Sequence, residues 1–210
     1  ANQYPTLGTI GSTNIAAGLR EALNNGITKQ VTKLTATDGF FKNEAVKILL
    51  PPELRKVDAG LRSIGLSSLA DEGLKVLNRA AEDAVKEATP IFVDAVKNIT
   101  FTDAKTILLG NNSAATVYLQ SSTSTALYAK FNPVIKNSFS KVGADKVWLN
   151  IITKYNSIPL VNKVNPDLND YVTTQAMNGV FKMIAVEELN IRTNISARTS
   201  PLLQSVFAMQ

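Results

Sequence analysis

The chain has neither histidine nor cysteine in its 210 residues, and the two absences together remove a wide range of chemistry. Structural zinc held by Cys or His, thiol nucleophiles, haem and iron–sulfur ligation through these residues, and every Ser-His-Asp or Cys-His relay need side chains that the chain does not contain. Freedom from cysteine is compatible with either redox compartment. Long apolar runs are also missing. The most apolar short stretch, 46–52, includes Lys47 and ends in Pro51 and Pro52, far short of the ~18 uncharged residues that a membrane-spanning helix needs. Glycine-rich phosphate loops, EF-hand spacing and H-E-x-x-H are absent as well, so no cofactor and no metal is expected. Aromatics make up only 7% of the chain, too few to furnish sugar platforms beside Asp71-Glu72, Glu82-Asp83 or Glu187-Glu188. Adjacent residues on a helix also point about 100° apart, so these acid pairs read as solvated faces and not as converging carboxylates.

What is present is an ordinary globular composition, 45% hydrophobic and 19% charged, in a chain long enough to bury a core without a disulfide or metal. A single domain over 12–210 is expected. It follows 1–11, ANQYPTLGTIG, whose proline and two glycines without periodicity read as a flexible N-terminal tail or tether. The chain opens on Ala1 with no basic-then-apolar leader, which is read as a signal peptide already removed in preference to a start trimmed by other means.

The net charge of +5 comes from sixteen Lys and six Arg against seventeen acids. In the second half, Lys130, Lys136, Lys141 and Lys146 fall near 0°, 240°, 20° and about 160° around a helix and form no stripe. Without a concentrated basic face, no nucleic-acid partner is expected.

Helical periodicity dominates. Ile15, Leu19, Leu23, Ile27 and Val31 recur every four residues and predict a helix with one buried stripe, weakened by Gly18 and Gly26. Asp38-Gly39 marks a turn, and Pro51-Pro52 opens a helix carrying Leu54, Val57, Leu61 and Ile64 on one side. Ser68 with Asp71 resembles a capping box at the start of the next helix. On that helix the alanines and leucines share one face. Asp71, Glu72, Lys75, Arg79, Glu82, Asp83 and Lys86 share the other, with pairs expected between Asp71 and Lys75, Arg79 and Asp83, and Glu82 and Lys86. Pro90 separates a further helix over 91–99. Thr102 and Gly110 bracket a short one, and Ser113 caps another. The Ser/Thr run 120–125 is expected to break that helix, because such side chains compete for backbone groups. Asn132-Pro133, Gly143 and Pro159 mark later boundaries, giving helices over 134–141 and 144–155. A long helix follows over about 167–192 and a last one opens at Ser200-Pro201. No strand alternation exceeds about four residues. The expected fold is all-α, a single compact bundle of about eight to ten helices with no sheet.

Ser138-Phe139-Ser140-Lys141 matches the S-x-x-K of serine acyl-transferases, but about one such match is expected by chance, and the sheet those enzymes need is absent. The charged cluster with most content is Glu188, Arg192 and Arg198. Glu188 and Arg192 are four apart in the favourable order, apolar residues flank them, and Arg198 returns across a turn. Two readings stand: a structural pairing that pins the last helix to the long one, or a ligand or anion site. Phe40, Phe41, Phe181 and Met183 are candidates for lining an apolar pocket between helices.

Five ordered blocks carry a family resemblance: Asp38-Gly39-Phe40-Phe41 through Leu50-Pro51; Asn78-Arg79-Ala80-Ala81-Glu82; Asp103-Ala104 through Leu109-Gly110; Ala114-Ala115-Thr116-x-Tyr118; and Glu187-Glu188-x-x-Ile191-Arg192 with Arg198. In these blocks, from about Ser12 to Phe207, the chain resembles the bacterial domain-of-unknown-function family 4197, most closely members from the Bacteroidota. The resemblance implies an exported, all-helical protein, often lipidated at an N-terminal Cys, and implies no activity. This chain holds no such Cys, and Ile195 stands where the family has Pro. The functional expectation is a non-enzymatic cell-envelope binding or accessory protein, periplasmic or tethered to the outer membrane, with an envelope protein partner. The alternative is a carrier of an apolar small molecule, a lipid or pigment, held between helices.

Overall fold

A computed structural model describes residues 12–210, and the expected tail over 1–11 lies outside the described residues. Those described form nine α-helices and no strand: α1 Ser12–Thr35, α2 Arg55–Ser63, α3 Ser67–Val85, α4 Ala88–Lys97, α5 Phe101–Leu108, α6 Ala114–Val142, α7 Ala144–Asn156, α8 Leu168–Thr193 and α9 Pro201–Phe207. Short 3-10 turns at Pro52–Leu54 and Ile195–Ala197 precede α2 and follow α8. The chain divides into two compact units. Unit 1 takes residues up to Thr32, Ala88–Ala126 and Val180–Gln210; unit 2 takes Lys33–Glu87 and Leu127–Gly179. α6 and α8 each contribute one part to each unit.

In unit 1 the four-residue stripe of α1 is buried as expected, with Ile15, Leu19, Leu23 and Ile27 all shielded from water. Gly18 serves packing: a Cβ there would lie 2.5 Å from the Cγ2 of Val206 in α9, so the glycine that weakens the helix lets a neighbour approach. The first-turn cap of α5 differs from expectation. Thr100, two residues earlier than Thr102, accepts from the Asp103 amide while the Asp103 carboxylate accepts from the Thr100 amide, a complete capping box. Ser200 caps α9 as predicted, accepting from the Leu203 amide.

In unit 2 the Ser68/Asp71 box does not form. α3 starts at Ser67 without a side-chain cap, and Asp71 accepts instead from Arg62 at 2.7 Å. α2 buries none of its residues, and of its expected stripe only Leu54, just before it, is buried. Ile64 is 71% exposed. The outward face assigned to α3 is wrong at one flank. Glu82, assigned to that face, is buried, and so is Asn78 one turn earlier, which was assigned to neither face, because the segment 38–48 lies over them. The expected i,i+4 pairs give way accordingly: Arg79 bonds Glu82 and Asp38, and Lys86 bonds Asp83.

α6 runs unbroken through the expected break at 120–125 and through Pro133. The hydroxyls of Ser122, Thr123 and Ser124 donate to the carbonyls of Tyr118, Leu119 and Gln120 one turn back, so they decorate the helix instead of competing with it. Pro133 forfeits one helical hydrogen bond. Phe131, Ile135 and Phe139 around it are wholly or almost wholly buried, and that packing holds the helix together.

Candidate functional site

Two buried carboxylates organise the two units, and both spend their oxygens on backbone. In unit 2, Glu82 accepts from the amides of Asp38 at 3.1 Å, Phe40 at 3.1 Å and Phe41 at 3.3 Å, and from Arg79 at 2.7 Å. One turn earlier Asn78 works on the same segment. Its amide oxygen accepts from the Ile48 N–H at 2.8 Å, and its nitrogen donates to the Ile48 and Leu74 carbonyls. The pair grips the irregular segment 38–48, whose amides have no helix to bond within. Lys42 and then Arg79 hold the Asp38 carboxyl below the usual carboxylate range, since each favours its charged form. Asp38 itself sits at φ 66°, a conformation that Asp tolerates when local hydrogen bonds secure it.

In unit 1, Glu188 reaches from α8 to the start of α6. It accepts from the amides of Ala115 at 2.9 Å and Thr116 at 2.8 Å, from the Thr116 hydroxyl at 2.8 Å and from Arg192 at 3.0 Å. This is an N-cap supplied from another helix, with the carboxylate at the positive end of the helix dipole. Ser113, the expected cap, bonds Asn111 instead. Arg192 performs the complementary task, donating to the carbonyls of Ile107 at 2.6 Å and Leu108 at 3.0 Å at the end of α5. One ion pair, almost fully shielded on both sides, therefore holds the end of one helix and the start of the next. Arg198 donates to the carbonyls of Ile191 and Arg192 at the end of α8, and the Gln210 side-chain Nε2 donates to the same Arg192 carbonyl.

Beside this clamp lies a cleft of about 270 Å³. Its walls are apolar: Leu19, Leu23 and Ile27 from α1, Ile184 from α8, and Leu203 and Phe207 from α9. Glu188 and Arg192 line it with their hydrogen-bonding capacity committed, while the exposed Asn25, Lys29 and Thr199 stand at its mouth. Glu187 joins them, paired with Lys29 at 3.2 Å and accepting from Gln30 at 2.6 Å. Gly26 keeps α1 and α8 close, since a Cβ there would lie 3.2 Å from the Glu187 Cβ.

The four candidates for an apolar pocket fall two to each unit. Phe40 is wholly buried, with its ring against Gly179, and the Lys47 ammonium sits 4.6 Å above the Phe41 ring. Phe181 meets Phe92 edge to face at 6.0 Å, and Met183 is half-buried. Neither the cleft nor a second hollow of about 380 Å³ beside Tyr118 is lined by any of the four. Sequence reasoning missed Glu187, Lys29 and Gly26; Gly26, next to Ile27 on the buried stripe, was the available signal of close helix approach. In the S-x-x-K match, Ser138 approaches Asp83 and Ser140 bonds Asp145, and neither hydroxyl bonds Lys141. No group of acids able to hold a metal occurs among the described residues, and no helix there is long and apolar enough to cross a membrane.

Fold and site together define a class: an all-helical protein whose buried charges secure its own turns, with a small apolar cleft beside one of them. The chain belongs to the family described as protein of unknown function (DUF4197), which it matches over residues 9–208. No curated protein and no solved structure matches it.

Proposed function

We propose that the protein is a non-enzymatic binding or accessory protein of the cell envelope that receives an apolar segment of a protein partner in the cleft of unit 1. The observation that carries this reading is the saturation of Glu188 and Arg192. Among the described residues, the buried charges at the cleft are spent on backbone, on the Thr116 hydroxyl and on each other, and Glu187 at its edge is paired with Lys29, which leaves apolar walls for binding and no poised acid or base for catalysis. The exposed Asn25, Lys29 and Thr199 supply polar contacts to a partner's backbone at the rim. The envelope, periplasmic or outer-membrane tethered, is proposed from the family resemblance, and cell fractionation tests it.

A second reading, a carrier of an apolar small molecule, draws on the same walls. A dry cavity of about 150 Å³ holds benzene, so this cleft takes an apolar body of about ten non-hydrogen atoms. That is too small to enclose a lipid or a pigment. The deciding experiment places a photo-crosslinking residue at Asn25 and at Thr199 in native cells. One discrete protein adduct at both positions, abolished by Ala22→Phe, which fills the cleft that Ala22 lines, is the expected result. Adducts absent at both positions, or unchanged by Ala22→Phe, refute the partner reading. A constant small mass retained in native mass spectrometry and lost in Ala22→Phe selects the carrier.

A further inference from the structure

The loop 157–163 of unit 2 holds Leu160 against its own conformational preference, and no packing onto Leu160 by the described residues compensates it. Its neck is pinched by Asn156, whose amide nitrogen donates to the Val164 carbonyl at 2.7 Å while its oxygen accepts from the Val164 N–H at 2.8 Å. Ile158, Pro159 and Leu160 form the exposed tip of this closed loop. Leu160 adopts φ 67°, the left-handed region, which follows Pro159 as in turns that ordinarily place Gly or Asn there. Asp38, the other positive-φ residue besides glycine among those described, is a type that tolerates the conformation and is held by Glu82, Lys42 and Arg79. Leu160 has neither advantage. It is γ-branched, and the residue is 104% exposed, so neither intrinsic preference nor internal packing accounts for a leucine at this position. Ile158 beside it is 52% exposed.

Along the chain, the charged residues of 147–166 are lysines alone, with Asp145 and Asp167 just outside that stretch. Lys154 and Lys163 flank the pinched neck, both exposed. An apolar tip over a basic collar complements a surface that is negative outside and apolar beneath. We propose that the 157–163 loop is an anchor for an anionic lipid bilayer, with Leu160 and Ile158 entering the interface and Lys154 and Lys163 resting on the headgroups. The proposal does not rest on the cleft in unit 1.

The test is sedimentation of the purified protein with phosphatidylcholine vesicles, with and without phosphatidylglycerol. Binding is expected to the anionic vesicles, to weaken with added salt, and to fall about five-fold for each of Lys154→Ala and Lys163→Ala. Leu160→Gly separates anchoring from folding. Glycine adopts a positive φ freely, so thermal stability stays level or rises while vesicle binding falls about tenfold. Ala22→Phe leaves vesicle binding unchanged. Three results each overturn the proposal: no binding to anionic vesicles, which leaves the tip to a protein partner; full binding retained by Leu160→Gly; or a drop in stability on that change, which makes Leu160 a structural residue.

Discussion

Replacing Glu82 by Ala tests directly whether a buried charge on α3 is structural. The carboxylate serves three amides and one guanidinium. The Phe40 amide bond is buried, whereas the Asp38 and Phe41 bonds are partly open to water. Stranding a buried donor costs about 1–3 kcal/mol. The two part-buried amides and the Arg79 contact add roughly 0.5–1 kcal/mol each once water replaces the lost acceptor. The expected loss is about 3–5 kcal/mol, in the range measured for breaking one side of a buried pair, and a large share of a typical total stability of ~5–15 kcal/mol. In urea, with a slope of about 2–3 kcal/mol/M, the midpoint should move down by roughly 1–2 M without a change in slope. Glu82→Gln keeps the volume and one acceptor oxygen but turns an NH₂ toward donors, and should lose about half as much. The control is the neighbouring Asp83→Ala, at a half-exposed side chain, which should stay within ~0.5 kcal/mol. If Glu82→Ala costs no more than Asp83→Ala, the assignment of Glu82 as the holder of the 38–41 turn is refuted.

In unit 1, Gly18→Ala should destabilise by about 1–2 kcal/mol through overpacking despite alanine's better helix propensity. Val206→Ala should reverse part of that loss, and a double-mutant cycle by thermal melting measures the coupling. Arg192→Lys keeps the charge but loses the fork that holds the Ile107 and Leu108 carbonyls; a drop of several degrees in Tm is expected, and an unchanged Tm contradicts the clamp. The Asp103 carboxyl lies below its ordinary range, chiefly because the Thr100 amide donates to it. Its folded pKa is depressed, so the unfolded chain binds more protons in acid, and this contribution is present above the unfolded value near ~3.9 and lost as pH falls through the folded value. Asp103→Asn should therefore flatten the decline of stability below about pH 4, as followed by urea midpoints across pH; an unaltered slope counts against the cap.

Local regularity was legible in the sequence wherever packing and periodicity agreed. The α1 stripe could be read residue by residue, as could the boundaries of α7, α8 and α9. α6 was readable in principle: Ala115, Leu119, Thr123, Leu127, Phe131, Ile135 and Phe139 recur every four residues and are all buried. The Ser/Thr run and Pro133 concealed that stripe, because local propensity was given more weight than the continuous apolar face that overrode it. Glu82 was misplaced, and Asn78 passed over, for a different reason. On a helical wheel they sit at the edge of the polar face, and only the return of 38–48 across that edge buries them. Glu188 and Arg192 were visible as a pair, but their targets, the end of α5 and the start of α6, lie more than seventy residues away along the chain and leave no local mark. The cleft escaped notice because its walls are ordinary core residues. Leu160 went unremarked because a sequence does not display φ.

The claim on which the rest depends is that buried charges here secure backbone, and amide hydrogen exchange at the start of α6 measures it most directly. First-turn amides have no intrahelical acceptor and ordinarily exchange fast. With Glu188 in place, the Ala115 and Thr116 amides should be protected like those of the helix interior, and Glu188→Ala should release these two while the middle of α6 stays protected. Exchange of both amides in the unaltered protein at the rate of any uncapped first turn would contradict it.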